Sequence, residues 1–98
     1  MRFVVIGLID NTNSEVLALR EATLEEHRAY SKVLHAAGNL KYSGPLLGED
    51  FNAPAGSIMV VDFPTKEAFE AEFLAKEPFM KVWQTVNVHP HRPAPYFE

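Results

Sequence analysis

The chain of 98 residues has no cysteine and no long apolar run. Without cysteine it cannot form a disulfide, and it lacks the Cys/His clusters that bind structural zinc. A helix that crosses a bilayer needs about 20 apolar residues in succession, and no stretch approaches that length. The apolar N-terminal segment is short and runs into Asp10, so we interpret it as a strand and not as a secretion signal. These absences predict a cytoplasmic protein without membrane contact.

Clustered positive charge is also missing. Nine Lys and Arg residues are scattered singly among thirteen Asp and Glu residues, which gives a net charge of −4. Proteins that bind nucleic acid neutralise phosphates with grouped cations, so nucleic-acid binding is not expected. The chain also has no glycine-rich phosphate loop, no nucleophile elbow and no cysteine nucleophile. The chain therefore lacks the motifs of P-loop nucleotide-binding enzymes, of α/β-hydrolases and of enzymes with a cysteine nucleophile.

The apolar pattern predicts four strands within one domain, residues 1–98. The strands are expected over residues 3–9, 40–47, 57–63 and 82–88, where branched and aromatic residues are concentrated. Gly44-Pro45 interrupts the second strand. Because proline cannot donate a hydrogen bond to a neighbouring strand, the second strand is expected at an edge of the sheet or at a bulge.

Two helices are expected between these strands. The first begins at Thr23, since Thr23 and Glu26 have the spacing of a capping box, and it ends at Gly38. The second is capped by Thr65. The resulting order, β-α-β-β-α-β, is that of the ferredoxin-like α+β fold, with both helices on one face of the sheet.

The helix-free face of this sheet needs a cover. In the first strand, alternate residues on both sides are apolar: Phe3, Val5 and Ile9 on one, Val4, Ile6 and Leu8 on the other. A face exposed to water would carry polar residues instead. We expect a homodimer in which two such faces pack together. The alternative is that the tail from His89 folds back over the face.

One polar residue stands on the apolar side of the first helix. At 100° per residue, His27 falls among Leu24, Tyr30 and Leu34, while Arg28 and Lys32 fall on the outward side. A buried imidazole needs a hydrogen-bond partner. It is either a core histidine bound to a main-chain carbonyl or a general acid/base, and the pattern alone leaves both interpretations open.

Several short motifs, in this order and at this spacing, resemble those of the YCII-related (YciI-like) proteins. They are His27 early in the first helix, Gly38 at its end, Gly44-Pro45-Leu46, Gly56 before the third strand, and Glu77-Pro78-Phe79 after the second helix. The resemblance implies a dimeric α/β sandwich or barrel. It also implies a catalytic His–Asp pair, which corresponds here to His27 and Glu77. The chain departs from the family in having glutamate at this position.

A second departure lies ahead of His27. Many relatives carry a basic residue there, whereas this chain has Leu24, Glu25 and Glu26, with only Arg20 nearby. Both departures weaken the inference of shared catalysis more than that of a shared fold. Glu77 also has a structural interpretation, because its charge before Pro78 suits a helix N-terminus.

Four further residues are candidates for substrate binding: Tyr42, Ser43, Phe79 and Trp83. For the aromatic residues the alternative is packing in the core. His89 and His91 lack an assured third ligand, so we expect no metal site there and a solvated tail. No cofactor is expected.

The function hypothesis is therefore a cofactor-free enzyme for a small organic metabolite. His27 would transfer a proton in an isomerisation or elimination, and Glu77 would orient the imidazole. The alternative is a non-catalytic ligand-binding or accessory dimer. A weaker alternative is a heme-binding or monooxygenase-type dimeric barrel.

Overall fold

The computed structural model describes residues 1–97. Its strands β1, β2, β3 and β4 are Arg2–Leu8, Leu40–Leu47, Pro54–Asp62 and Thr85–His91. The helices are α1, Ser14–Ala36, and α2, Lys66–Phe69, which continues as a π-helical turn, Glu70–Leu74. Short 3-10 turns span Pro78–Lys81 and Pro95–Phe97. None of the helices within residues 1–97 is long and apolar enough to cross a membrane.

The four strands form one antiparallel sheet in the order β2-β3-β1-β4. Each helical connection therefore joins two strands that have a third strand between them, as in the split arrangement predicted from the order of elements. The predicted ferredoxin-like α+β fold is confirmed. The second strand lies at an edge with irregular pairing at both ends, which also confirms the expectation drawn from Gly44-Pro45.

The start of α1 was predicted wrongly. The helix begins nine residues before Thr23, at Ser14, because the side chain of Asn13 caps it by accepting hydrogen bonds from Glu15 N and Val16 N. Thr23 lies within the helix, where its hydroxyl donates to the carbonyl of Leu19 and not to a helix end. A capping-box pattern can occur inside a helix when an earlier residue satisfies the free N–H groups.

The other helix boundaries agree with the sequence. Thr65 caps α2 by accepting from Ala68 N. Gly38 has a φ of +82°, the left-handed conformation that ends many helices, and Asn39 N then bonds to the carbonyl of Leu34.

The last strand begins later than predicted. Val82 and Trp83 are buried residues that follow the Pro78–Lys81 turn, and β4 starts at Thr85. His89 and His91 consequently belong to a strand and not to a tail, although both are exposed to solvent as expected. Proline within β4 is tolerated because β4 is an edge strand.

The core lies between the sheet and the helices. Phe69 and Phe73 point inward from the second helical segment and are 2 % and 0 % exposed. Phe69 stacks on Phe3 of β1 with 4.0 Å between ring centroids. Met59 and Val61 of β3 are completely buried beneath these rings. Burial of large aromatic side chains supplies much of the stabilisation available to a domain this small.

The opposite face of the sheet is apolar at its centre, where Val4, Ile6, Ile58 and Val60 lie side by side on β1 and β3. We call these four residues the open face. All four are only half-buried. The C-terminal tail does not cover them, since Tyr96 and Phe97 are themselves exposed at 82 % and 75 %.

Gly7 of β1 provides a test of core packing. A Cβ atom at this position would lie 2.1 to 2.4 Å from ring atoms of Trp83, whereas at Gly44 in β2 it would have no neighbour within 4 Å. We expect Gly7→Ala to lower the free energy of unfolding by about 1–3 kcal/mol through displacement of the indole. Gly44→Ala is the matched control and should change it by less than about 0.5 kcal/mol. Equal midpoints for the two variants in urea denaturation would contradict this packing.

Candidate functional site

A cavity of about 310 Å³ lies between α1 and the strands β2 and β3. Its floor is formed by Ser43 and Pro45 of β2, which pair with Met59 and Ser57 of β3. Three of these four residues are small, so they leave space beneath the helix. The roof is formed by residues of α1, among them Leu24, His27 and Ser31. We call this space the site cavity.

His27 and Glu77 meet at the wall of the site cavity. Nδ1 of His27 lies 2.9 Å from Oε2 of Glu77. The His27 side chain is 13 % exposed, whereas that of Glu77 is fully buried. His27 also lines the site cavity, so the imidazole separates the carboxylate from any molecule bound there. The two residues proposed as a pair from the family resemblance are thus in direct contact.

Glu77 is held in place by the segment that follows it. Its Oε2 accepts a second hydrogen bond from the backbone N–H of Phe79, at 2.8 Å, and thereby caps the short helix that begins at Pro78. Glu77 is therefore both the cap of this short helix and the partner of His27. Its other oxygen, Oε1, is buried without a hydrogen-bond partner among residues 1–97. Buried charge of this kind is costly unless it is paired, so His27 is an essential partner of Glu77.

Phe79 fixes the plane of the imidazole. The rings of His27 and Phe79 are parallel within 2° and their centroids are 3.9 Å apart. The guanidinium of Arg20 lies over the same phenyl ring, with Cζ 5.7 Å from its centroid. A cation near an aromatic face is attracted to it, so Phe79 positions both groups at the cavity wall.

This geometry determines which nitrogen of His27 is available. An ionised Glu77 can only accept hydrogen bonds, so Nδ1 must carry the proton that it donates. Nε2 then has a free lone pair in the neutral ring, and it has no hydrogen-bond partner among the described residues. The buried carboxylate thus fixes the orientation of an imidazole whose second nitrogen can accept a proton.

The four candidate substrate-binding residues lie at three different places in the structure. Ser43 and Phe79 line the site cavity. Tyr42, adjacent to Ser43 in β2, lines a neighbouring depression of about 280 Å³ that shares Ser31, Lys32 and Ser43 with the site cavity. Trp83 does not reach either space. It is 7 % exposed and contacts the edge of Phe79, with 6.0 Å between ring centroids.

Three cationic residues that were not among the predicted site residues line the site cavity: Arg20, Arg28 and Lys32. Arg28 and Lys32 were predicted on the outward side of α1 and are exposed, yet their side chains border the cavity because it opens along the flank of the helix. With Leu24, the three residues recur every four positions along α1. That spacing is the one signal in the sequence that could have grouped them.

Within residues 1–97, no group of three acidic or histidine side chains is arranged to hold a metal ion. His89 and His91 lie on β4, opposite Val4 and Arg2 of β1 and away from the site cavity.

Comparison with known proteins agrees with this architecture. The family model for the YCII-related domain matches residues 1–92. A solved structure, that of 5-chloro-2-hydroxyhydroquinone dehydrochlorinase (TftG) from Burkholderia phenoliruptrix AC1100 in complex with 2,5-dihydroxybenzoquinone, superposes with a TM-score of 0.78. The two chains are 20 % identical and the match covers 98 % of each. No curated protein sequence matches the chain.

The His27–Glu77 contact predicts a defined tautomer. In the wild-type protein at a pH where His27 is neutral, ¹⁵N chemical shifts should show the proton on Nδ1. Glu77→Gln can either accept from Nδ1 or donate to it, so both tautomers should appear, and the free energy of unfolding should fall by about 1–3 kcal/mol. Glu72→Gln is the control, because Glu72 is an exposed carboxylate paired with Lys76. A wild-type proton on Nε2 would contradict the proposed geometry.

Proposed function

This chain belongs to the YCII-related family, and we propose that it is an enzyme in which His27 transfers a proton to or from a small organic molecule. The observation that carries the proposal is the position of His27 between a buried carboxylate and a cavity. Glu77 holds Nδ1 at 2.9 Å while the remaining nitrogen is left for a ligand. A purely structural histidine would need no cavity beside it.

Elimination and isomerisation are the reactions that such a site suits. Nε2 takes a proton from a carbon atom of the substrate, and the electron pair of the broken C–H bond forms a new double bond. In an elimination a leaving group departs with its own electron pair. In an isomerisation the imidazolium returns the proton to another atom of the substrate. Neither reaction requires a redox cofactor, and Glu77 offsets the positive charge that His27 acquires.

The structural neighbour supports this class of reaction. TftG is by its name a dehydrochlorinase, and its structure holds a small cyclic compound, 2,5-dihydroxybenzoquinone. At 20 % identity this likeness establishes the fold, and the residues of the proposed mechanism rest on the geometry of this chain. We therefore propose a cyclic or phenolic metabolite as the substrate class.

The candidate binding residues take different roles in this proposal. Ser43 and Phe79 contact the substrate within the site cavity. Tyr42 borders the adjoining depression and contacts the part of a longer substrate that extends out of the cavity. Trp83 acts through Phe79, whose ring it supports from the side.

We also propose that two copies pair through the open face. Val4, Ile6, Ile58 and Val60 form a continuous apolar patch that no segment of residues 1–97 covers completely. An identical patch on a second copy is a self-complementary cover, since a two-fold axis brings the same surface to both sides of the contact. This is the homodimer expected from the sequence.

Deuterium incorporation tests the catalytic proposal without a known substrate. The protein is incubated in D₂O with a panel of enolisable ketones, lactones and substituted phenols, and C–H exchange is followed by mass spectrometry. We expect His27→Gln to slow exchange by about 10²- to 10⁴-fold, the usual contribution of a general base. His91→Gln, an exposed histidine on β4, is the control and should not change the rate. Exchange that persists in His27→Gln, or a panel without any exchange, favours the non-catalytic ligand-binding module.

Sedimentation tests the dimer. Val60→Lys places a charge at the centre of the open face, where a second sheet could not solvate it, so this variant should sediment as a monomer while the wild type sediments as a dimer. Val33→Lys is the matched control, because Val33 is a 60 % exposed valine on α1. A wild-type monomer, or equal effects of the two substitutions, would contradict the proposed interface.

A further inference from the structure

The site cavity has a charge opposite to that of the protein as a whole. The chain carries a net charge of −4, yet three of its nine Lys and Arg residues line this one space. They are Arg20, Arg28 and Lys32, and among residues 1–97 none of the three has a carboxylate oxygen within 4.0 Å. The cavity wall therefore carries positive charge that the described part of the chain does not neutralise.

Six Lys and Arg residues lie outside the site cavity, and three of them have a carboxylate partner among residues 1–97, whereas Lys41, Lys66 and Arg92 have none within 4.0 Å. Arg2 contacts Asp62 at 3.2 Å, Lys76 contacts Glu72 at 3.2 Å, and Lys81 contacts Glu26 at 3.8 Å. None of these pairs lines the site cavity. What distinguishes the site cavity is its lining, which contains three cationic residues and no acidic one.

Glu77 does not supply the missing negative charge. Its side chain is fully buried behind His27, and its Oε2 already accepts from His27 and from the backbone of Phe79. A molecule in the site cavity meets the imidazole first. Cations that line a partly enclosed space attract anions more strongly than cations on an open surface do, because less water screens them.

We propose that the site cavity binds a small organic anion, with its apolar body against Phe79 and Met59 and its anionic oxygens held by Arg28 and Lys32. Arg28 and Lys32 are one helical turn apart on α1, so both can reach one carboxylate at the mouth of the cavity. The volume of about 310 Å³ lies at the small end of ligand sites. This inference names the substrate class of the proposed enzyme and rests on the same site.

Arg20 has a different position from the other two cations. Its guanidinium lies over Phe79, the ring on which His27 stacks. Because Arg20 also lines the site cavity, its guanidinium adds to the positive charge of the wall, while Arg28 and Lys32 are the cations assigned to the anionic oxygens.

A matched pair of probes tests the inference. The probes are 3-hydroxybenzoate and 3-hydroxybenzamide, which have closely similar shapes and differ in charge, and binding is followed through the backbone amide signals of Ser43 and Phe79. We expect the wild-type protein to bind the benzoate at least about 10-fold more tightly than the benzamide. Raising the salt concentration should weaken binding of the benzoate only.

The variants locate the charge that is responsible. Arg28→Gln and Lys32→Gln should each weaken binding of the benzoate by about 3- to 10-fold and leave the benzamide unchanged. Both residues are exposed, so neither change should affect folding, which circular dichroism can verify. Lys66→Gln, an exposed lysine at the start of α2 and outside the site cavity, is the control and should have no effect.

Equal affinity for the two probes, no binding of either at millimolar concentration, or an equal loss in Lys66→Gln would overturn the inference. Its failure is distinguishable from that of the proposed function. His27→Gln should retain the preference for the benzoate and lose deuterium exchange. If the wild-type protein shows the preference without exchange, the anion site stands and the catalytic proposal fails. If it shows exchange without the preference, the catalytic proposal stands and the anion site fails.

Discussion

The buried carboxylate of Glu77 is the constraint on which the site depends. A charge that is fully removed from water requires close partners, and this one has two, the imidazole of His27 and the backbone N–H of Phe79. One partner comes from the long first helix and the other from the turn after the second helical segment. The carboxylate therefore joins two parts of the chain that are 50 residues apart. It also orients the imidazole that we propose as the proton-transfer group.

The cavity beside this pair has an equally simple origin. β2 is an edge strand, and its residues beneath α1 are small, so the helix covers them without filling the space. A larger residue at Ser43 or Pro45 would fill the cavity and join it to the core. Close packing is retained on the other side, where Phe3, Phe69 and Phe73 pack together in the core. The closely packed core and the cavity therefore lie at different ends of one interface between helix and sheet.

Charge is also distributed unevenly over the protein. The protein is acidic overall, whereas the flank of α1 that borders the cavity is basic. Long-range repulsion between an acidic protein and an anionic ligand is weak at physiological ionic strength, because charges more than about 8 Å apart are largely screened. The local cations therefore outweigh the net charge at the site. The chain belongs to the YCII-related family and shares its fold with TftG, and the charge of the cavity is the reason we propose an organic anion as its ligand.

The sequence by itself determined the order of the strands, the inward position of His27 and the apolar character of both sheet faces, because these follow from local periodicity and from the few ways such elements connect. The family resemblance added Glu77 as the partner of His27. Only the tertiary structure decided that the two side chains touch, that Trp83 is a support behind Phe79, and that Arg28 and Lys32 border the cavity. A helical wheel gives the direction of a side chain from its own axis. Whether that direction leads to solvent or to a gap beside a neighbouring strand depends on packing between distant segments, which no local pattern records.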